Sequence, residues 1–156
     1  MKRLLVLGAG TAGTMVVNKL RPRLDADEWK ITIVDQEATH HYQPGYLFLP
    51  FGDYRPEEIV KPKKKFIPEG VEMVMGEIDR VDAEESRVFL ADGTELEYDQ
   101  LVIATGATPR PDQTPGMDED EWRKSVHEFY TLEGATALRD KLATWEGGRL
   151  VVHITE

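Results

Sequence analysis

A glycine pattern near the amino terminus places the strongest constraint on how this chain folds. The segment Gly8-Ala9-Gly10-Thr11-Ala12-Gly13 follows a short apolar run, Arg3 to Leu7, and opens a stretch with helical character that reaches Leu20. Between a strand and a helix, the first glycine of such a pattern allows a tight turn. The second lets a pyrophosphate approach the backbone, and the third lets helix and strand pack closely. The free N–H groups and positive dipole of the helix attract phosphate, so the pattern predicts a dinucleotide-binding loop.

An acidic residue at the end of the next strand completes this fingerprint. Lys30 to Val34 predicts a second strand, and Asp35, at its carboxyl end, follows Gly13 by 22 residues. An acid about 20 residues after the last glycine binds ribose hydroxyls and disfavours a 2′-phosphate, so NADP is not expected at this site. The alternative is a glycine-rich turn followed by a surface aspartate. We predict dinucleotide binding because strand, loop, helix and acid occur in the required order.

The middle of the chain departs from the alternating strands and helices of an NAD-binding domain. Three strand-like segments are expected at Val71 to Val81 (with a break near Gly76), Arg87 to Leu90 and Glu95 to Tyr98. The apolar run Leu101 to Ala104 predicts a strand covered on both faces. A helix is expected at Leu132 to Trp145 and a last buried strand at Arg149 to Ile154. Asp92-Gly93 is a hairpin turn signal. The predicted fold is α/β: a Rossmann-type parallel sheet, helices on one side and a three-stranded antiparallel β-meander on the other.

Composition excludes several classes of function. The net charge of −10 and the pI of about 4.9 argue against a nucleic-acid partner. We interpret the basic run Lys61 to Lys65 as a solvated helix face, with a docking patch as the alternative. The chain has no cysteine, which excludes disulfides, thiolate metal sites and a cysteine nucleophile. Apart from the adjacent pair His40 and His41, which seldom face one ion, no two histidines have metal-ligand spacing, so no metal site is predicted. No serine or carboxylate pair indicates hydrolysis, and no catalytic residue is predicted in this chain. No apolar run is long enough to cross a membrane, and a cytoplasmic location is expected.

Three further segments carry a family resemblance. Tyr98 to Gly106, with its acid, apolar run and Ala-Thr-Gly ending, resembles the second FAD motif of glutathione-reductase-like flavoproteins. His41 to Tyr46, followed by Pro50 to Gly52, resembles the flavin-side loop of sulfide:quinone oxidoreductases and flavocytochrome c sulfide dehydrogenases. Gly147 to Ile154 resembles the first strand of their second domain. The resemblance divides the chain into the amino-terminal part of an FAD-binding domain, residues 1–146, and the first strand of an incomplete second domain, residues 147–156.

The resemblance implies FAD as the cofactor and assigns its contacts. By this resemblance, Asp35 contacts the ribose, and the pyrophosphate is bound by Gly8, Gly10, Thr11, Ala12 and Gly13. Gln43 and Pro44 approach the flavin ring, and the backbone near Ile78 contacts the adenine. Thr105 and Gly106 complete the wall of the FAD site, and Gln36 and Ala104 are also predicted to bind the cofactor. Gln43 lies in the irregular segment Thr39 to Asp53, here called the aromatic loop because it contains Tyr42, Tyr46, Phe48 and Phe51. This loop has an alternative interpretation as a hydrophobic cluster beneath a long loop.

The same resemblance implies a parent protein that passes electrons from a small reduced sulfur compound through FAD to a quinone, with a membrane-associating part of its own. Such proteins use a cysteine pair beside the flavin, and this sequence has none. We therefore expect the chain to be catalytically incomplete by itself. We also expect it to stop within a structural motif, because a parallel strand normally leads into a loop and a helix and none follows the predicted strand Arg149 to Ile154. The alternatives are a type II NADH:quinone reductase-like flavoprotein, a non-catalytic flavin- or nucleotide-binding module, and a remnant that holds no cofactor.

Overall fold

The computed structural model describes residues 1–117 and 121–154. The chain separates into two compact units: the first contains Met1–Tyr42 and Glu57–Thr108, and the second contains Gln43–Pro56 and the chain from Pro109 onward. The division at residue 146, expected from the sequence, stays a prediction. In the part of the chain that the structure describes, no helix has both the length and the apolar character that crossing a membrane requires.

The strands of residues 1–117 and 121–154 all lie in the first unit. Their bounds are β1 Lys2–Leu7, β2 Trp29–Asp35, β3 Thr39–His41, β4 Val60–Pro62, β5 Val71–Met75, β6 Ile78–Asp82, β7 Arg87–Leu90, β8 Glu95–Glu97 and β9 Gln100–Ile103. The helices are α1 Thr11–Leu20, α2 Pro56–Ile59 and α3 Leu132–Ala143. Short 3₁₀ turns cover Arg21–Arg23, Gln43–Leu47, Leu49–Phe51, Lys63–Phe66 and Pro111–Gln113.

A four-stranded parallel sheet in the order β5-β2-β1-β9 forms the centre of the first unit. Successive side chains of a strand point to opposite faces, and both faces of β1 are buried. Leu4 and Val6 pack with Val17 of α1, whereas Leu5 and Leu7 pack with residues of β7. This arrangement confirms the predicted α/β fold, with helix α1 on one side of the sheet and the meander on the other.

The meander is the antiparallel sheet β6-β7-β8, and it begins later than expected. The predicted strand from Val71 to Val81 is two strands, because β5 joins the parallel sheet beside β2 and only β6 enters the meander. The break falls at Gly76, whose N–H donates to the carbonyl of Asp35 at 3.0 Å. A Cβ at this position would lie 2.8 Å from Leu90 Cδ1, so the close approach to β7 favours glycine there.

Two predicted burials are wrong. Among the described strands, β9 pairs only with β1, and Ile103 is 65% exposed although the run was expected to be covered on both faces. The segment 149–154 forms no strand, and Leu150 is 60% exposed. A strand needs a hydrogen-bonded neighbour, and no described strand pairs with this segment.

The second unit contains the aromatic loop and helix α3. The loop forms two 3₁₀ turns, Gln43–Leu47 and Leu49–Phe51, in which Tyr46 and Leu49 are buried. Thr131 is the N-cap residue of α3, because its side-chain hydroxyl accepts a hydrogen bond from the N–H of Gly134 at 3.0 Å. The side chain of Glu128 in turn accepts from the Thr131 N–H at 2.9 Å, which fixes the entry into the helix.

Candidate functional site

The loop between β1 and α1 lies at the carboxyl end of the parallel sheet. Gly8 has φ +90°, a left-handed conformation that favours glycine. A side chain there would also overlap the backbone of Ala104 and Thr105. The first glycine therefore packs directly against the end of β9, and the two sequence motifs predicted to contact the cofactor meet at this point. In open α/β sheets, ligands bind in the crevice outside the carboxyl ends of the strands.

The other two glycines of the loop differ in their surroundings. A Cβ on Gly13 would overlap the carbonyl oxygen of Gly8, so the absence of a side chain is what lets α1 pack against the loop. A Cβ on Gly10 would meet no atom within 4 Å. Gly10 has φ −70°, which any residue adopts. Neither packing nor backbone conformation within the chain explains glycine at position 10, whereas the approach of a ligand does.

Helix α1 begins without a side-chain cap. Gly10 is the N-cap residue, and its helix has no side-chain cap among the residues that the structure describes. The first turn contains no acidic residue. Thr11 and Ala12 are exposed at this end. The first N–H groups of a helix have no partner within it and carry the positive end of its dipole, which suits them to an anion such as a pyrophosphate.

Asp35 lies at the end of β2, beside the loop. Its Oδ2 accepts a hydrogen bond from the Ala9 N–H at 2.6 Å, and its Oδ1 accepts from the Glu37 N–H at 2.9 Å. The Ala9 contact joins the acidic residue of the fingerprint to the glycine loop itself. The structure thus brings the loop, Asp35, Ala104 and Thr105 together at one edge of the sheet.

Lys63 is a partner of Asp35 that the sequence interpretation missed. Its Nζ lies 2.7 Å from Asp35 Oδ2, and the residue is only 4% exposed. The basic run is therefore not the uniformly solvated helix face that we expected: Lys61, Lys64 and Lys65 are exposed, but Lys63 is buried in an ion pair. Nothing in the local sequence separates Lys63 from its neighbours, because its burial depends on pairing between distant residues.

The surroundings of Asp35 favour its ionised form. Burial is the largest influence and raises the pKa of the carboxyl group, but hydrogen bonds from Lys63, Glu37 and Ala9 outweigh it. The pKa of Asp35 is therefore below its ordinary value. Asp35 is consequently a carboxylate at neutral pH, able to accept hydrogen bonds from hydroxyl groups but not to donate one.

The remaining predicted cofactor residues take no part in the hydrogen bonds between the glycine loop and the Asp35 side chain. Gln36 follows Asp35 and is exposed, and Gly106 follows Thr105 with φ +81°. Ile78 begins β6, and its side chain packs with the cluster on the meander side of the sheet. Gln43 and Pro44 are exposed in the second unit, so their approach to a flavin ring stays a prediction.

Comparison with known proteins identifies the family. A model of the pyridine nucleotide-disulphide oxidoreductase family matches residues 2–152. The chain belongs to this family. Membership confirms the predicted flavoprotein class, an oxidoreductase domain with FAD as its cofactor.

Several relatives of this pyridine nucleotide-disulphide oxidoreductase domain are quinone oxidoreductases, and others are ferredoxin reductases. It is 25% identical over 150 residues to the mitochondrial sulfide:quinone oxidoreductase of Dictyostelium discoideum, covering 96% of this chain and 33% of that protein. It is 32% identical over 120 residues to a type II NADH:quinone oxidoreductase of Staphylococcus epidermidis, covering 76% of this chain and 29% of that protein. The solved structure of the sulfide:quinone oxidoreductase from Aquifex aeolicus matches with a TM-score of 0.74 and 26% identity, over 92% of this chain and 32% of that one. The domain spans about a third of the length of these relatives.

Proposed function

We propose that this chain supplies the pyrophosphate- and ribose-binding part of the FAD site in a flavin-dependent oxidoreductase. The observation that carries the proposal is the open space at Gly10, directly before an uncapped helix N-terminus. The residues present suit the cofactor, because the uncapped N–H groups offer donors to phosphate and Asp35 offers a carboxylate to a ribose hydroxyl. The structure of the loop thus has a feature that ligand binding explains and that packing within the chain does not.

Each group has a limited task in this proposal. The backbone N–H groups of Thr11 and Ala12 bind the pyrophosphate, Gly10 leaves room for it, and Asp35 accepts from the ribose. Contacts of the Ile78 backbone with the adenine, and of Gln43 with the flavin ring, extend the same proposal. When bound, FAD supplies the redox chemistry, while the protein binds and orients it.

For the whole protein, we propose that electrons pass from a small reduced sulfur compound through FAD to a quinone, in a protein that is cytoplasmic and peripheral at the membrane. The likeness to two sulfide:quinone oxidoreductases over nearly the whole chain supports this. The second candidate is an NADH:quinone reductase, supported by the higher identity, 32%, over a shorter match. The chain contains no cysteine, so it does not itself supply the cysteine pair that sulfide oxidation implies.

The test of the binding proposal is an FAD titration of the chain and of its Gly10→Val variant. We expect weak but saturable binding to the wild type, because the pyrophosphate and ribose contacts are local. Valine at position 10 fills the open space, so we expect at least a tenfold loss of affinity, equivalent to about 1.4 kcal/mol. Valine is also a poorer N-cap residue than glycine, so the two affinities are compared at a temperature where the melting curves show both proteins to be folded.

The matched control is Ala83→Val, which adds a similar side chain at an exposed turn away from the loop. We expect this variant to bind FAD as the wild type does. Equal affinity in Gly10→Val and wild type contradicts the assignment of the loop, and absence of saturable binding in the wild type contradicts the binding proposal itself.

A further inference from the structure

The carboxylate of Asp35 has one acceptor position left. A carboxylate offers about four lone-pair positions. On Oδ2, the Ala9 N–H at 2.6 Å and Lys63 Nζ at 2.7 Å use both, and on Oδ1 the Glu37 N–H at 2.9 Å uses one. The Asp35 side chain retains 14% of its exposure. One oxygen is thus fully occupied within the protein, and the other can accept one further hydrogen bond.

A small antiparallel sheet holds Lys63 in place. Thr39 of β3 pairs with Pro62 of β4, and the Lys63 N–H donates to the carbonyl of Ala38 at 2.8 Å. These contacts place Lys63, which follows residues 43–56 in the sequence, beside Ala38, three residues after the end of β2. The lysine is therefore fixed by backbone pairing and is not a flexible surface side chain that happens to reach Asp35.

We propose that Lys63 is the positioning residue of the ribose-binding carboxylate: it fixes Oδ2 against the glycine loop and so presents the free acceptor position of Oδ1 to one ribose hydroxyl of an ADP-containing cofactor. The inference rests on the proposed function, since it concerns how the same site recognises the ribose. It assigns to a buried lysine outside both dinucleotide motifs a role in cofactor recognition.

Charge supports the same role. Asp35 is hydrogen-bonded to Ala9, within the loop proposed to bind the anionic pyrophosphate. An uncompensated carboxylate there would repel the phosphates, and a buried charge requires a partner. The ammonium of Lys63 neutralises the carboxylate without using the acceptor position of Oδ1. Glu37, His40 and His41 are the next ionisable groups along the chain. The side chains of Glu37 and His41 approach each other to 4.0 Å.

The test compares ADP with 2′-deoxy-ADP and 3′-deoxy-ADP by titration calorimetry. The deoxy analogue that lacks the bonded hydroxyl loses one hydrogen bond to a charged group, so the wild type should bind it at least about tenfold more weakly than ADP. In Lys63→Met the carboxylate is no longer fixed, and we expect this ratio to fall below about threefold. Lys63→Arg should restore the ratio, because it retains a cation that donates hydrogen bonds.

Lys65→Met is the matched control, since it removes a neighbouring exposed lysine. A general loss of stability would weaken binding of all three nucleotides equally and leave the ratio unchanged, so the ratio separates positioning from structural support. An unchanged ratio in a folded Lys63→Met variant overturns the inference, as does the same loss of ratio in Lys65→Met.

A second measurement uses the wild type, because Lys63→Met leaves a buried carboxylate unpaired and can fail to fold. The Nζ protons of Lys63 are followed by NMR during saturation with ADP. Persistence of a protected, hydrogen-bonded ammonium signal in the complex supports the inference, and release of this signal overturns it. If the wild type binds neither ADP nor FAD, the proposed function fails. If it binds ADP but Lys63 has no effect on the ratio, only this inference fails.

Discussion

Glycine suits three positions of one short loop for three different physical reasons. Gly8 has a left-handed backbone and touches the end of β9, Gly13 admits the carbonyl of Gly8, and Gly10 faces open space. The sequence pattern treats them as equivalent members of one fingerprint. The structure separates the two that folding requires from the one that ligand binding explains.

This difference predicts that alanine lowers the unfolding free energy more at position 13 than at position 10. Gly13→Ala forces a methyl group into the Gly8 carbonyl, and overpacking of this kind costs about 1–3 kcal/mol of unfolding free energy. A methyl group on Gly10 meets no atom, so Gly10→Ala should cost less, at most about 1 kcal/mol, which reflects only the poorer N-cap preference of alanine. Urea unfolding of both variants measures the difference. Equal destabilisation of the two would show that the loop packs differently from the structure described.

At the residue scale, the sequence predicted the glycine loop and Asp35 but not Lys63. The loop is a local pattern with a fixed spacing, so one sequence suffices to recognise it. Lysine is rarely buried without a partner, and the partner here is 28 residues earlier in the chain. Only the pairing of β3 with β4 brings the two together, and that pairing has no strong local signal.

At the scale of elements, local sequence patterns predicted the strands and helices, whereas pairing between distant segments decided which strands are neighbours in a sheet. The Asp92-Gly93 turn correctly indicated the hairpin of β7 and β8. Alternation from Val71 to Val81 fits either sheet, so it could not show that β5 joins β2 while β6 joins β7. An apolar run likewise predicts a strand only where a neighbour exists, which is why the run at 149–154 is exposed.

The contact between the meander and the sheet predicts the effect of one substitution. Leu90 of β7 is 3% exposed and packs with Leu5, Leu7 and Val34 on one face of the parallel sheet. Leu90→Ala should lower the unfolding free energy by about 2–5 kcal/mol, because it removes buried methyl groups and leaves a cavity. Leu150→Ala, at an exposed leucine, is the control and should cost less than about 0.5 kcal/mol. Similar melting temperatures for both variants would argue against a packed meander.

At the scale of the whole molecule, the global charge opposes the local chemistry of the site. The chain carries a net charge of −10, and FAD brings a negatively charged pyrophosphate. The favourable groups act at short range: helix dipoles fall off within a turn, and the charge of Lys63 is already balanced by Asp35. Long-range repulsion should therefore slow the encounter without weakening the contacts that form after it.

This opposition predicts that added salt accelerates FAD association. The Debye length falls from about 30 Å at 0.01 M to about 8 Å at 0.15 M ionic strength, which screens the distant acids more than the contacts within the site. Stopped-flow measurement of flavin fluorescence should show an association rate constant that rises several-fold over this range, with a dissociation rate constant that changes little. Replacing Glu28, Glu84 and Glu85, all exposed, by glutamine changes the net charge from −10 to −7 and should reduce the salt dependence. An association rate that falls with salt would instead mean that the field at the mouth of the site is positive, and that the helix N-terminus and its surroundings outweigh the acidic surface.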